Sequence, residues 1–245
     1  MRVLVHLRAE ETATAGDRRQ GGPGRFVSGL LVRGWRTDLP GGRDAIYSFS
    51  NLFPPGPALP GDRRNLLVAS PDPGLVRALA ARLRRDPGRI AAGGSVFRVE
   101  GHETFSVRLD RSGLRLVTAT PVRLRVPAPG GGGPAYFTPP LGTEAFLAAL
   151  NRDMVRRYNA HHGARLNRDL RVIADGSLLR TSRRGRVPSS FWELGTGCLP
   201  ATARRVLEFA VDAGLGEGTR NGFGFVNVVA RERGREKGYE QPSQH

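Results

Sequence analysis

One lysine, Lys237, stands among 38 basic residues, and one cysteine, Cys198, in 245 residues. A single thiol excludes an intrachain disulfide and any zinc site built on cysteine pairs. It fits a reducing, cytoplasmic setting. No apolar run approaches the ~20 residues that a membrane-spanning helix needs. The opening MRVLVHLRAEE turns acidic after a few apolar residues, so it reads as neither leader nor anchor. Aromatic residues make up only 7%. The first half has no run of them resembling the base-stacking sheet of an RNA-recognition motif. Acidic clusters with metal-ligand spacing are missing too. Asp38 and Asp44 are isolated carboxylates, which gives two-metal nuclease chemistry no ligand set. No metal and no other cofactor is expected.

What is abundant is arginine. With 38 basic and 22 acidic residues the net charge is +16, and all the basic residues but Lys237 are arginine. The guanidinium fork grips phosphate with two bonds and stacks on bases. Such a balance points to a polyanionic partner, nucleic acid first. A length of 245 residues accommodates one large domain or two small ones.

Hydrophobic periodicity favours two. Val3, Val5 and Leu7 alternate with His6 and Arg8, which predicts a strand. A short helix over 25–34, strands over 47–53 and 65–70, a helix opening at Pro73 and a strand over 105–109 follow. The order is β-α-β-β-α-β. It recurs with a strand over 114–126, an insertion at 127–134, a helix over 143–159, strands over 170–180 and 187–194, a helix ending at Gly214 and a strand over 223–229. The expectation is an α+β protein of two tandem ferredoxin-like (RRM-like) domains, over 1–112 and 113–231. The polar residues 232–245 are expected to form a disordered tail.

The most distinctive stretch is Gly214-Leu-Gly216-Glu-Gly218-Thr-Arg220-Asn221-Gly222-Phe-Gly224-Phe225. A dinucleotide or P-loop site follows a strand and opens a helix, so that the helix N-terminus meets phosphate. This stretch follows a helix and leads into a strand, which excludes that reading. What remains is a loop free to adopt positive φ, whose N–H groups can form an anion-binding concavity. Arg220 and Asn221 at its tip supply charge and hydrogen bonds. On this basis Gly214, Gly216, Gly218, Arg220, Asn221, Gly222 and Gly224 are candidate RNA-binding residues.

Paired ferredoxin-like domains with such a C-terminal loop resemble the repeat-associated RNA-binding (RAMP) superfamily of CRISPR systems. Three stretches narrow the resemblance to the CRISPR RNA-processing endoribonucleases, the sixth Cas protein family. Tyr47-Ser-Phe-Ser-Asn-Leu-Phe-Pro54 is similar to their "FSNLFP" strand. Ala145 to Tyr158, with Asn151 and the run Arg157-Tyr158-Asn159, resembles the helix that opens their second domain. Gly214 to Phe225 resembles their loop. The resemblance implies cleavage of CRISPR precursor transcripts within repeats, without metal. The ribose 2′-oxygen attacks the adjacent phosphate, leaving a 2′,3′-cyclic phosphate and a 5′-hydroxyl. The implied partner is CRISPR repeat RNA, with CRISPR effector subunits or a second copy as further partners.

Many members use a histidine just after the first helix. Its place here falls near Leu39, in Arg36-Thr37-Asp38-Leu39-Pro40, which holds none. That departure keeps open a repeat-RNA-binding protein of the same fold that has lost cleavage. The candidate catalytic residues are His6, which shares its strand face with Arg2 and Arg8, together with Arg36, Arg43 and Tyr47. The plainer roles are a hydrogen-bonded sheet histidine, solvated arginines and a packed tyrosine. His161 and His162 suit a helix C-terminus, and His102 a surface strand end. A second arginine group recurs in the later half. Arg123, Arg125, Arg183, Arg184 and Arg186 are its candidate RNA contacts, the last three on a hairpin tip.

Overall fold

The computed structural model describes residues 1–12, 45–92, 95–109, 113–128, 133–184 and 187–229. The helix expected over 25–34, Arg36, Arg43, Arg186 and the 232–245 tail lie outside the described residues, as does the Arg184 side chain.

Two antiparallel sheets organise the chain. β1 (Arg2–Thr12) buries Val3, Val5 and Leu7, as their alternation predicts. It is flanked by β3 (Arg63–Ala69) and β5 (Ser95–Phe105), with β2 (Ser48–Phe49) and β4 (Arg89–Ala92) at the edges, in the order β2-β3-β1-β5-β4. Helix α1 (Pro73–Arg85) starts where Asp72 accepts the Gly74 N–H at 2.8 Å. Proline suits its first position because no N–H is needed there. Arg82, Arg84 and Arg85 close its last turn, complementing the negative end of the helix dipole. Leu75, Val76, Leu79 and Leu83 are buried against the sheet, each contributing ~1.5–3 kcal/mol relative to exposure.

The second sheet runs β11-β6-β10-β9: β6 (Arg115–Thr118), β9 (Asp175–Arg184), β10 (Val187–Gly195) and β11 (Val226–Val229). Its helices are α2 (Thr143–His162) and α3 (Ala201–Ala213). With the edge strand β4 set aside, the strands of each half, counted in chain order, run fourth-first-third-second in both sheets. In the second core Phe146 stacks on Trp192 at 4.0 Å between centroids, and the indole N–H donates to Ser190 at 2.7 Å.

Several boundaries depart from the periodicity. The strand expected over 114–126 breaks after Thr118. Pro121 cannot donate to a ladder, and Arg125–Val126 (β7) pairs instead with Ala135–Tyr136 (β8), the two short strands flanking the expected insertion at 127–134. The strand expected over 105–109 ends at Phe105 and starts at Ser95, because β4 and β5 form a hairpin that the pattern did not disclose. β9 starts at Asp175 rather than 170. The Asn151 amide oxygen holds the Val172 and Ile173 N–H groups at 2.8 Å, keeping that backbone out of the sheet. β11 starts at Val226 rather than Phe223, since Gly222 and Gly224 adopt φ of +83° and +68°.

Candidate nucleic-acid interface

The loop after α3 is built by close approach. All five of its glycines have positive φ, where an L-residue costs ~1–2 kcal/mol. Space is as tight as conformation. A Cβ on Gly224 would lie 1.9 Å from the Leu215 carbonyl oxygen, and one on Gly216 2.5 Å from the Arg123 carbonyl oxygen. Leu215 N–H donates to the Gly224 carbonyl, Gly224 N–H to Pro121, Glu217 N–H to Arg123 and Gly222 N–H to Thr219.

These facts correct the expectation of an open N–H concavity. Gly214, Gly216, Gly222 and Gly224 are buried, and the N–H groups of Leu215, Glu217, Gly222 and Gly224 are satisfied internally. Those four glycines are scaffold. The tip is a single 3-10 turn of Thr219, Arg220 and Asn221 capped by Gly218 and Gly222, with Thr219 buried beneath it. Arg220 and Asn221 are exposed there, and Gly218 is half-buried.

Two struts hold the loop. Arg157 on α2 donates to the carbonyls of Gly214 at 2.6 Å, Gly216 at 3.2 Å and Ala213 at 3.1 Å. Burial pushes its guanidinium pKa down, and Asp153 opposes that shift. The second strut is the seam between the sheets. The Met1 ammonium and the Arg2 guanidinium both pair with Asp212 on α3. Arg2 also donates to the Val211 and Val226 carbonyls at 3.0 and 2.9 Å and lies 4.9 Å from the Phe225 ring centroid. Ser48 of β2 donates to the Asp212 carbonyl at 3.1 Å. The FSNLFP-like strand therefore lies against the base of the loop.

Against its other side lies an arginine–aromatic cluster. The Arg123 guanidinium carbon is 5.1 Å from the Phe223 ring centroid and 5.6 Å from that of Tyr136. Arg125 sits 5.0 Å from the same Tyr136 ring and donates to its hydroxyl at 3.3 Å. An Arg123 terminal nitrogen would be 2.9 Å from a Cβ on Gly218, so the cluster reaches the tip. Tyr136 and Phe223 escaped the sequence reading. Two-residue strands carry no period, and only the β7–β8 pairing puts Tyr136 beside both arginines.

Other candidates stand apart. Arg183 is exposed on β9, three strand spacings or ~14 Å from β11. On the same strand Arg180 covers the Phe191 ring at 3.7 Å. His6 is four residues along β1 from Arg2, ~13 Å. Its Nδ1 lies 2.8 Å from Asn65 Oδ1 and its Nε2 3.2 Å from Glu103 Oε1. The expected arginine companions are differently engaged: Arg2 is buried in the seam, and Arg8 pairs with Glu100 at 2.6 Å. Tyr47 is 6% exposed and belongs to the first hydrophobic core, so its position is that of a packed ring. Asn151 and Asn159 hold backbone, not ligand: Asn159 brackets Leu166 with two hydrogen bonds of 3.0 Å. His102 lies in β5, three residues from its end at Phe105. Among the described residues no three His, Cys, Asp or Glu side chains gather as metal ligands, and no helix is long and apolar enough to cross a membrane.

Known proteins are similar to this chain. The family model for the CRISPR associated protein Cas6 C-terminal region matches residues 107–228. The chain is 27% identical over 267 residues to the CRISPR-associated endoribonuclease Cas6 of Haloferax mediterranei, covering 95% of each. It is 23% identical over 201 residues to a second such protein from Methanocaldococcus jannaschii, covering 76% of this chain and 82% of that one. Among solved structures, a RAMP protein that binds different RNA substrates superposes with a TM-score of 0.68 at 19% identity, over 94% of this chain and 100% of the other. That likeness is one of fold.

Proposed function

The chain belongs to the CRISPR-associated Cas6 family, and from that premise we propose that it cleaves CRISPR precursor transcripts within their repeats, with the glycine-loop tip as its RNA-binding centre. The observation that carries this reading is the exposed pair Arg220 and Asn221 on a loop braced by buried backbone contacts, with Arg123, Arg125 and Tyr136 beside it. The shared strand order supports treating 1–112 and 113–231 as two ferredoxin-like units.

The reaction that fits needs no bound metal. The 2′-oxygen attacks phosphorus, a base takes its proton, and an acid protonates the departing 5′-oxygen. Charge collects on the phosphorane oxygens, where preorganised donors count most. Arg220 supplies charge and Asn221 a neutral hydrogen bond. Arg123, stacked on rings, supplies a second cation whose orientation is fixed in advance. His6, Arg36 and Arg43 remain the proposed proton-transfer and charge-stabilising set. Tyr47 contributes through packing.

A second reading has its own support. Leu39 stands where many relatives place a histidine, and His6 is remote from the loop along β1. Both favour a protein that retains repeat RNA without cutting it. Repeat RNA incubated with the protein in EDTA separates the two. Fragments ending in 2′,3′-cyclic phosphate support the nuclease; RNA bound and intact supports the binder.

A further inference from the structure

A notch on the helix-covered face of the first sheet is lined by Arg77, Ala80, Arg84, His102 and Thr104. Arg77 and Arg84 are seven residues apart on α1, two turns, and so point the same way. His102 and Thr104 are two apart on β5 and share a face. Among the described residues no carboxylate lines the notch. That contrasts with other arginines of the first half. Arg8 and Arg63 pair with Glu100, Arg89 and Arg98 with Glu10, and Arg82 with Asp86. Among the described residues neither Arg77 nor Arg84 is ion-paired.

Among the described strands the notch also lies at an open edge. Beyond Gly101, β5 pairs only with β1 among the described strands. Thr104 is opposite Val3, one step from the Phe105–Arg2 pair, with facing Cα atoms ~5 Å apart. Arg2 is the residue that reaches across the seam to Val226. A strand of nucleic acid leaving the seam around this edge would pass the notch. Among the described residues no carboxylate compensates the positive charge there. Burial first, then Arg84 and His6, push the His102 pKa down, as expected where the field disfavours another cation.

We propose that Arg77, Arg84, His102 and Thr104 form a second phosphate site, which holds a backbone phosphate of the bound RNA outside the segment at the glycine-loop tip. It rests on the RNA reading above. Arg77 and Arg84 supply the charge, and Thr104 and His102 supply hydrogen bonds. A phosphodiester placed there favours the protonated imidazole, so RNA raises the pH at which His102 titrates. Arg84 and Arg77 on α1 and His6 on β1 oppose that rise.

The test compares wild type with R77Q/R84Q and with R85Q/R108Q, which removes equal charge outside the notch. Repeat-RNA affinity is measured across salt concentration, and the His102 ring is followed by NMR. R77Q/R84Q is expected to bind about tenfold more weakly than wild type, with a salt dependence shallower by ~0.7 to 1.4, one to two single-strand phosphate contacts. R85Q/R108Q should change less, and the wild-type His102 resonance should move on adding RNA. Equal behaviour of the two double variants overturns the site. So does a His102 resonance that responds to millimolar inorganic phosphate but not to RNA, which would mark a free-anion site. Wild type that binds no repeat RNA would instead remove the RNA reading, and this inference with it.

Discussion

Arg2 Nε lies 3.4 Å from Asp212 Oδ1, although 210 residues separate them in the chain. The pair joins the first strand to the helix that launches the glycine loop. Burial lowers the Arg2 guanidinium pKa, and Asp212 opposes that shift. Removing one member of a buried pair leaves the other charge uncompensated. The two halves are thus tied where the loop begins.

Asp212→Ala should therefore destabilise the protein by about 3 kcal/mol in urea unfolding, and Asp212→Asn by less. A loss near zero for the alanine variant would show that the seam bears no such tension.

Two glycines of like conformation should respond very differently to a methyl group. Gly163, which ends α2 at φ +62°, has nothing within 4 Å of a Cβ, whereas Gly224 at φ +68° has the Leu215 oxygen at 1.9 Å. Gly163→Ala should cost about 1 kcal/mol. Gly224→Ala should displace the loop, lowering the thermal midpoint far more and weakening RNA binding. Equal midpoints would refute the view that close packing, beyond φ, demands glycine in this loop.

At the tip, Arg220→Ala should weaken repeat-RNA binding and lower the slope of log affinity against log salt by ~0.7, one phosphate contact. Tyr136→Ala should weaken binding with little change in that slope, since it removes a ring and the order it gives Arg123 and Arg125. Base–aromatic contacts are worth ~1–3 kcal/mol. Unchanged affinity for both variants would displace the interface from this loop.

Much of this was legible in the sequence. The Val3–Val5–Leu7 alternation, the Pro73 helix start and the stop at Gly214 all follow from local chemistry, and the structure places elements there. The strand order common to the two sheets also accords with the recurring order of elements. What escaped depends on partners distant in sequence. His6 was given arginine neighbours by alternation alone, yet strand register supplies Asn65 and Glu103 instead. Tyr136 became visible only when β7 met β8. The buried glycines read as a cradle because positive φ suits a cradle and a tight crossing equally. Arg157 stood out only as part of a run resembling a family helix; its role stayed hidden, since a buried arginine looks like a surface one until its carbonyl partners are known.

Acid should loosen the fold before carboxylates titrate. Burial, then Arg84 and His6, lower the His102 pKa; burial, then His161, lower that of His162. The unfolded chain, with histidine near ~6.5, binds these protons more tightly than the folded one. Their contribution is therefore fully present above ~6.5 and is lost as pH falls through the lower folded values. Thermal midpoints should drop between about pH 7.5 and 5.5, and His102→Asn should flatten part of that drop. A midpoint that rises over this interval would reverse the sign and contradict the assignment.

The most direct test of the account is single-turnover cleavage of repeat RNA in EDTA, with and without a 2′-deoxy substitution at the scissile nucleotide. The account predicts cutting of the ribose substrate to a 2′,3′-cyclic end, slowed ~100-fold or more by Arg220→Ala, and no cutting of the deoxy substrate. Cleavage that survives the deoxy substitution, or an Arg220→Ala rate equal to wild type, would contradict it.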